Sequence, residues 1–353
     1  MLSTDSNAAG RTRPRDGVEL VVQSIWRTRL GDMEVPLNGE FFDLGGKSLD
    51  AVRIMADVAA RFGVELPLES IFEGGTVERI ARLVRAGGEE QPPRARVVIR
   101  GGDRPTTLVC AHPIGGGVMW YRDLANALPA DVPCLGVQAL GLDPRCPPDR
   151  DVVTMAEHYL AELDAYRDTD DVVLTGYSTG GLIAYEMARQ LEAAGRTPRA
   201  VVLMDTLIMY GNTKPKSRAR LLWSLVGHAL ALDTSPEELA ELDEDRLVDR
   251  VLTLAVTQGA LPVDFGPARL RRLIEMYPIN LNAAISYDPP PYYGPVHLVR
   301  PAGDKTVGDS MDRWRARCHG GLSVHDVAGS HLDLISGPHA KSVAAALEPL
   351  WAE

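Results

Sequence analysis

Long apolar runs are missing from this 353-residue sequence; no stretch approaches the roughly 20 residues that a bilayer-spanning helix needs. The segment from Met1 to Arg15 is polar and lacks the apolar centre of a secretory signal. Both absences point to a cytoplasmic protein with no membrane partner. Positive charge is also scarce: 37 Lys and Arg face 48 Asp and Glu, a net charge of -11, with no segregated basic patch. Such a surface repels a phosphate backbone, so nucleic acid is not an expected partner. Cysteine is sparse too. Cys110, Cys134, Cys146 and Cys318 form no C-x-x-C pair, and His319, His325, His331 and His339 have no metal-ligand spacing. Neither a disulfide framework nor a structural zinc site is expected. Internal repeats and low-complexity tracts are absent as well.

What remains is an ordinary globular composition, 45% hydrophobic and 24% charged, in a chain long enough for two unequal domains. Residues 1–16 have no apolar periodicity and are expected to form a disordered leader. Val18, Val21, Val22, Ile25 and Trp26 then recur at helical spacing, with Gly31 as a natural stop. A second helix is expected from Ser48 to about Phe62. A third begins at Thr76, with Val77, Ile80, Ala81 and Val84 on one face. Three such helices make a small bundle. The stretch from Gly87 to Pro93 reads as a linker.

Beyond it, short apolar runs at 107–111, 134–138, 172–175, 200–204, 296–299 and 322–327 alternate with helical patterns. This alternation predicts a mostly parallel sheet covered by helices. From Thr206 to Pro291 helices replace strands, one of them opened by the capping pattern Ser235-Pro236-Glu237-Glu238. An insertion this long inside an α/β sheet reads as a lid. Its apolar residues, such as Trp223, Leu225, Leu230, Met276 and Tyr277, either line a pocket or form the lid's own core.

The first constellation with chemistry in it is Gly176-Tyr177-Ser178-Thr179-Gly180-Gly181, set between an apolar strand and a helical pattern. A Ser on such a sharp turn is presented at the sheet edge, and the flanking glycines let backbone approach closely. A nucleophilic Ser needs a base, and the base needs an acid that holds its tautomer. His331, in Gly329-Ser330-His331-Leu332-Asp333, follows the last strand on a small-residue loop and fits the base. His297 and His325 lie along strands, His319 in a turn and His339 at a helix start; each reads as structural or solvated. Asp205 and Asp304 both end strands, and either could be the acid. Oxyanion donors are expected from the backbone of Thr179 and, in the loop His112-Pro113-Ile114-Gly115-Gly116-Gly117, of Ile114. That loop lacks the pattern of a nucleotide-phosphate cradle.

A second constellation is Phe41-Phe42-Asp43-Leu44-Gly45-Gly46-Lys47-Ser48-Leu49. Ser48 stands at a helix N-terminus, where either an N-cap serine or an attached phosphate is at home.

These motifs resemble two families. D-L-G-G-K-S-L, with an apolar helix before it and Ile71-Phe72 after it, is similar to the peptidyl carrier (thiolation) domain of nonribosomal peptide synthetases over residues 17–87. The resemblance implies 4′-phosphopantetheine attached covalently to Ser48. Lys47 departs from the family's more frequent His or Asp. Residues 95–353 resemble the type I thioesterase that terminates such assembly lines, through H-P-I-G-G-G, G-Y-S-T-G-G, V-V-L-M-D-T, the Asp288-Pro to Tyr293-Gly-Pro-Val junction and G-S-H-L-D-L-I. The implied fold class is a small all-α carrier bundle, a linker at 88–94, and an α/β-hydrolase fold with a helical lid at about 207–291. In that family the acid matches Asp205; Asp304 is the general α/β-hydrolase alternative. The implied activity passes an acyl or peptidyl chain from the Ser48 arm to Ser178, then releases it by hydrolysis or cyclisation. Implied partners are upstream condensation and adenylation domains or subunits, for which these residues leave no room, and a phosphopantetheinyl transferase. The competing readings are an editing thioesterase that strips mis-acylated carriers, a free-standing esterase, and a docking module with an inactive hydrolase half.

Overall fold

A computed structural model describes residues 13–31, 33–72, 75–88, 94–143, 145–164, 171–210, 234–240, 242–257, 267–302 and 308–351. Most of the expected leader and linker, and Trp223, Leu225, Leu230 and Asp304, lie outside the described residues. The chain divides into two units, one made of residues 1–92 and 226–270, the other of 93–225 and 271–353.

In the first unit, helix α1 (Gly17–Leu30) starts where the Asp16 side chain accepts the Glu19 N–H, 2.9 Å, and stops at Gly31 with φ +85°. Helix α2 (Ser48–Phe62) stops the same way at Gly63, φ +68°. Glycine adopts this left-handed conformation without a Cβ penalty, which is why the chain turns there. A short helix α3 (Glu69–Phe72), not anticipated from the spacing, precedes α4 (Val77–Arg85), whose N–H at Arg79 is capped by Thr76 Oγ1 at 3.1 Å. The aromatic core runs from Trp26 edge-on to Phe41 (5.1 Å), through Phe42 (4.8 Å), to a stacked Phe72 (4.8 Å). Val22, Ile54, Met55, Val58 and Ile80 are buried around it, each worth about 1.5–3 kcal/mol of transfer free energy. Glu19 is buried as well. Its carboxylate accepts from the Arg15 guanidinium and backbone, 2.8 Å each, and from Arg85, which holds its pKa down to about 2. The capping pattern at 235 behaves as predicted: Ser235 Oγ accepts the Glu238 N–H, 3.3 Å, at the start of the helix Pro236–Ala240.

The second unit is built on a seven-stranded sheet: β1 (Arg96–Arg100), β2 (Thr107–Ala111), β3 (Cys134–Val137), β4 (Val172–Tyr177), β5 (Ala200–Met204), β6 (Val296–Pro301) and β7 (Leu322–Val327). The order is β1-β3-β2-β4-β5-β6-β7, all parallel except β1, which runs antiparallel to β3. The central strands read as continuous apolar runs because helices bury both of their faces. α6 (Val152–Asp164) and α7 (Gly180–Ala193) cover one face over Val109, Leu174 and Leu203. α5 (Arg122–Ala127) and the helix Gly337–Ala346 cover the other over Leu108, Val202 and Val299. β1 lies outside the sequence prediction; R-V-V-I-R is a five-residue edge strand bounded by arginine, with half-buried and buried residues alternating. Among the described residues no helix is long and apolar enough to cross a membrane.

Candidate active site

The C-terminal ends of adjacent parallel strands collect the candidate residues, as expected of a crevice outside the carboxyl ends of an α/β sheet. β2 runs into the His112–Gly117 loop, β4 into Ser178 and β5 into Asp205. Ser178 and Asp205 are the non-glycine residues with positive φ, +56° and +46°, among those described. Left-handed backbone is costly for a residue with a Cβ, and it persists only where surrounding structure imposes it. Two backbone bonds impose it here. The Ser178 N–H donates to the Met204 carbonyl at 2.8 Å, and the Asp205 N–H donates to the Val299 carbonyl at 2.8 Å.

The glycines around Ser178 answer to space. A Cβ on Gly176 would overlap the backbone of Gly180 and Gly181, one on Gly180 would meet the Ala111 carbonyl, and one on Gly181 would fall on the Thr206 side chain. The turn from strand to helix is thus too tight for any other residue at three of its six positions. Tyr121 adds a tie that the sequence reading missed. Its buried hydroxyl donates to the Ala111 carbonyl at 2.6 Å and accepts the Tyr177 N–H at 2.6 Å, joining the end of β2 to the end of β4.

His331 lies on the loop after β7, and its Nδ1 donates to Asp205 Oδ2 at 2.6 Å. The carboxylate accepts only, so the imidazole proton sits on Nδ1 and Nε2 is left as the acceptor. Asp205 is buried, whereas His331 is partly exposed. The His331 loop is stapled by Asp333, which accepts from the Ser330 N–H (2.6 Å) and Oγ (2.8 Å). These bonds hold the Asp333 carboxyl below its ordinary pKa. The Tyr177 ring lies 5.1 Å from the His331 ring, and burial, aided by Asp205 and Asp333, raises its phenol pKa.

The other histidines named from the sequence have contacts of their own. His297 lies in the N-terminal part of β6, opposite the carboxyl ends, and its Nδ1 is 3.0 Å from His325 Nε2. Burial, then the neighbouring His325, lowers the His297 pKa. His319 stacks edge-on with Tyr293, and His339 faces Asp333 at 3.4 Å. His112 is fully buried, with its pKa lowered by burial to about 4, and it hydrogen-bonds Tyr159 at 2.8 Å; the sequence singled out its loop without its side chain. Of the lid residues named from sequence, Met276 and Tyr277 are described; both are buried in the helix Pro267–Ser286.

The backbone N–H groups of Ile114 and Thr179 have no hydrogen-bond partner among the described residues. Two unpaired donors on the loops that follow β2 and β4 are what a developing oxyanion requires. A serine, a histidine whose Nε2 has no hydrogen-bond partner among the described residues and a buried carboxylate can do nucleophilic acyl chemistry.

In the first unit the turn before α2 has the same economy of space. Gly45 has φ +88°, and a Cβ on Gly46 would run into the Phe41 ring. Lys47, with extended backbone, occupies the cap position without a side-chain hydrogen bond, so Ser48 is the first helical residue. The N-cap reading of Ser48 is therefore set aside. First-turn N–H groups have no partner within a helix, which suits a phosphodiester attached there.

Comparison with known proteins finds two family matches along the chain. The Thioesterase domain family matches residues 106–350, and the Phosphopantetheine attachment site family matches residues 21–84. Malpibaldin synthetase of Mortierella alpina is 29% identical over 331 residues, covering 91% of this chain and 6% of its own length. The dimodular nonribosomal peptide synthase of Bacillus subtilis is 26% identical over 339 residues, covering 91% of this chain and 14% of its own. The chain thus spans a small fraction of the relatives it matches. A crystal structure of a four-domain nonribosomal peptide synthetase bound to AMP and glycine superposes with a TM-score of 0.69 at 26% identity, covering 100% of this chain and 27% of that one. The Vlm2 thioesterase domain shares the fold, with a TM-score of 0.57 at 22% identity over 73% of this chain and 98% of its own.

Proposed function

This chain belongs to the thioesterase family, with a phosphopantetheine attachment domain ahead of the thioesterase domain, and on that premise we propose that it terminates nonribosomal peptide synthesis. The observation that carries the reading is the 2.6 Å bond from His331 to a buried Asp205 at the strand ends that also present Ser178.

Ser48 would hold 4′-phosphopantetheine, which supplies a thiol that carries the growing acyl chain as a thioester. His331 Nε2 takes the Ser178 hydroxyl proton as Ser178 Oγ attacks the thioester carbonyl. Asp205 holds the imidazole tautomer and stabilises the imidazolium that forms. Ile114 and Thr179 N–H groups stabilise the tetrahedral oxyanion. When the C–S bond breaks, His331 returns the proton to the departing sulfur, leaving an ester on Ser178. His331 then deprotonates water, or an amine or hydroxyl of the chain itself, and the second attack releases a free acid or a ring and regenerates Ser178.

Upstream condensation and adenylation domains or subunits supply the chain, and a phosphopantetheinyl transferase modifies Ser48. Four free cysteines fit a reducing cytoplasm. An editing role on foreign carriers is disfavoured by the carrier domain fused to the same chain.

The test is the intact mass of Ser178→Ala beside wild type, after incubation with a phosphopantetheinyl transferase and an acyl coenzyme A. The variant is expected to keep an acyl-phosphopantetheine on Ser48 that wild type loses. Equal loss from both would overturn the release reaction, and no mass gain at Ser48 would overturn the carrier assignment.

A further inference from the structure

One buried histidine takes no part in the proposed triad. His112 Nδ1 lies 2.8 Å from the Pro113 carbonyl, and its Nε2 lies 2.8 Å from the Tyr159 hydroxyl. A carbonyl only accepts, so Nδ1 carries the proton, and the neutral ring accepts at Nε2 from Tyr159. The Pro113 carbonyl also accepts the Gly116 N–H at 2.9 Å. In a trans peptide the C=O and N–H point in opposite directions. Whatever fixes the Pro113 oxygen therefore fixes the direction of the Ile114 N–H.

The other side of Ile114 is held too. Asn280, on the helix Pro267–Ser286, donates from Nδ2 to the Ile114 carbonyl at 2.9 Å. Its Oδ1 is buried and has no hydrogen-bond partner among the described residues. A buried amide that satisfies only its donor side is a poor choice for packing alone, since leucine would fill similar space without an orphaned acceptor. The one bond it makes goes to the loop that presents the oxyanion donor.

We propose that His112 and Asn280 are positioning residues that clamp the Ile114 peptide from both flanking carbonyls, with Tyr159 fixing the His112 tautomer. This rests on the reading of Ile114 as an oxyanion donor. Because burial favours the neutral imidazole, the clamp keeps one hydrogen-bonding pattern across the working pH range. Both residues act through Ile114.

The test uses the full chain and a synthetic N-acetylalanyl thioester of N-acetylcysteamine, with kcat, KM and Tm measured for His112→Leu, His112→Asn, Asn280→Leu and the double leucine variant. Each leucine variant is expected to lower kcat by roughly tenfold with KM within about twofold, because transition-state stabilisation alone is lost. Asn280→Leu is expected to melt within a few degrees of wild type, which separates its kinetic effect from folding. His112→Asn, which keeps a short N–H donor, is expected to recover part of the loss. The double variant is expected to be about as slow as the slower single, since both act on the direction of the same Ile114 N–H, one through its own peptide and one through the next. A raised KM with unchanged kcat, no rescue by asparagine, or multiplying single effects would overturn the clamp. If His112→Leu fails to fold, Asn280→Leu decides alone: unchanged kcat overturns the proposal. A wild type that turns over no thioester, or a Ser178→Ala variant as fast as wild type, instead defeats the thioesterase reading, and the clamp falls with it.

Discussion

His331 and Asp205 are 126 residues apart in sequence, and their side chains meet at 2.6 Å between Nδ1 and Oδ2. The carboxylate is buried while the imidazole is partly exposed, which suits the proposed roles of a fixed acid and an accessible base. The bond sets the tautomer before any substrate arrives.

Asp205→Asn should therefore cost more than a hydrogen bond. An amide can turn its NH2 toward Nδ1 and drive the proton to Nε2, which disables the base. Thioester turnover is expected to fall by on the order of 10³- to 10⁴-fold with little change in Tm. Asp304→Asn, at the alternative acid, is expected to stay within a few-fold of wild type. Steady-state hydrolysis of a small acyl thioester checks both, and the reverse pattern would move the acid to Asp304.

The packing of Gly181 against Thr206 makes a paired prediction. Gly181→Ala places a methyl on the Thr206 side chain at the start of α7 and is expected to cost roughly 1–3 kcal/mol. Thr206→Ala in the same chain clears Oγ1 and Cγ2 and should restore part of that loss. Urea midpoints of the two single variants and the double give the coupling directly.

His112 predicts an acid limb in stability. Its pKa is about 4 in the folded chain and near 6.5 when exposed, so below pH 6.5 the unfolded state binds a proton that the folded state refuses. Stability from the neutral ring is complete above that pH and is lost as pH falls from about 6.5 to about 4, by roughly 3 kcal/mol. His112→Asn should flatten this window relative to wild type in denaturation series at several pH values. Parallel curves would mean that the ring is not held neutral.

In the carrier unit, Gly46→Ala drives a methyl into the Phe41 ring directly before the Lys47-Ser48 step. Phosphopantetheine loading is expected to fall by roughly tenfold, while hydrolysis of a free thioester by the other unit is unchanged. Intact mass and a thioester assay on one preparation separate the two effects.

Much of this was legible in the sequence because it depends on local rules. Gly31 and Gly63 mark helix ends, Thr76 and Ser235 mark starts, and the apolar runs at 107–111, 172–175 and 200–204 fall in the buried strands β2, β4 and β5. Strand β1 escaped because an edge strand with arginine at both ends carries a weaker period. The Ser178 turn was legible because its glycines answer to steric limits that any such turn shares. Tyr121, Tyr159 and Asn280 were not, since each acts through a single hydrogen bond to a carbonyl or ring far along the chain. Nothing local distinguishes such a residue from an ordinary core tyrosine or helix asparagine. Local sequence likewise left Asp205 and Asp304 level as strand-end carboxylates, and Asp205 was favoured through the family resemblance.

The Tyr121 hydroxyl sits between the last carbonyl of β2 and the last N–H of β4. One strand leads to the Ile114 loop and the other to Ser178, so a single phenol oxygen acts as a spacer between the two. A breathing motion that displaces either strand end carries the other with it. Displacement is then shared by the strand ends that lead to the proposed nucleophile and the proposed donor. A site joined by this kind of gauge block holds its internal dimension better than it holds its position in the molecule, and the internal dimension is the one that acyl transfer reads.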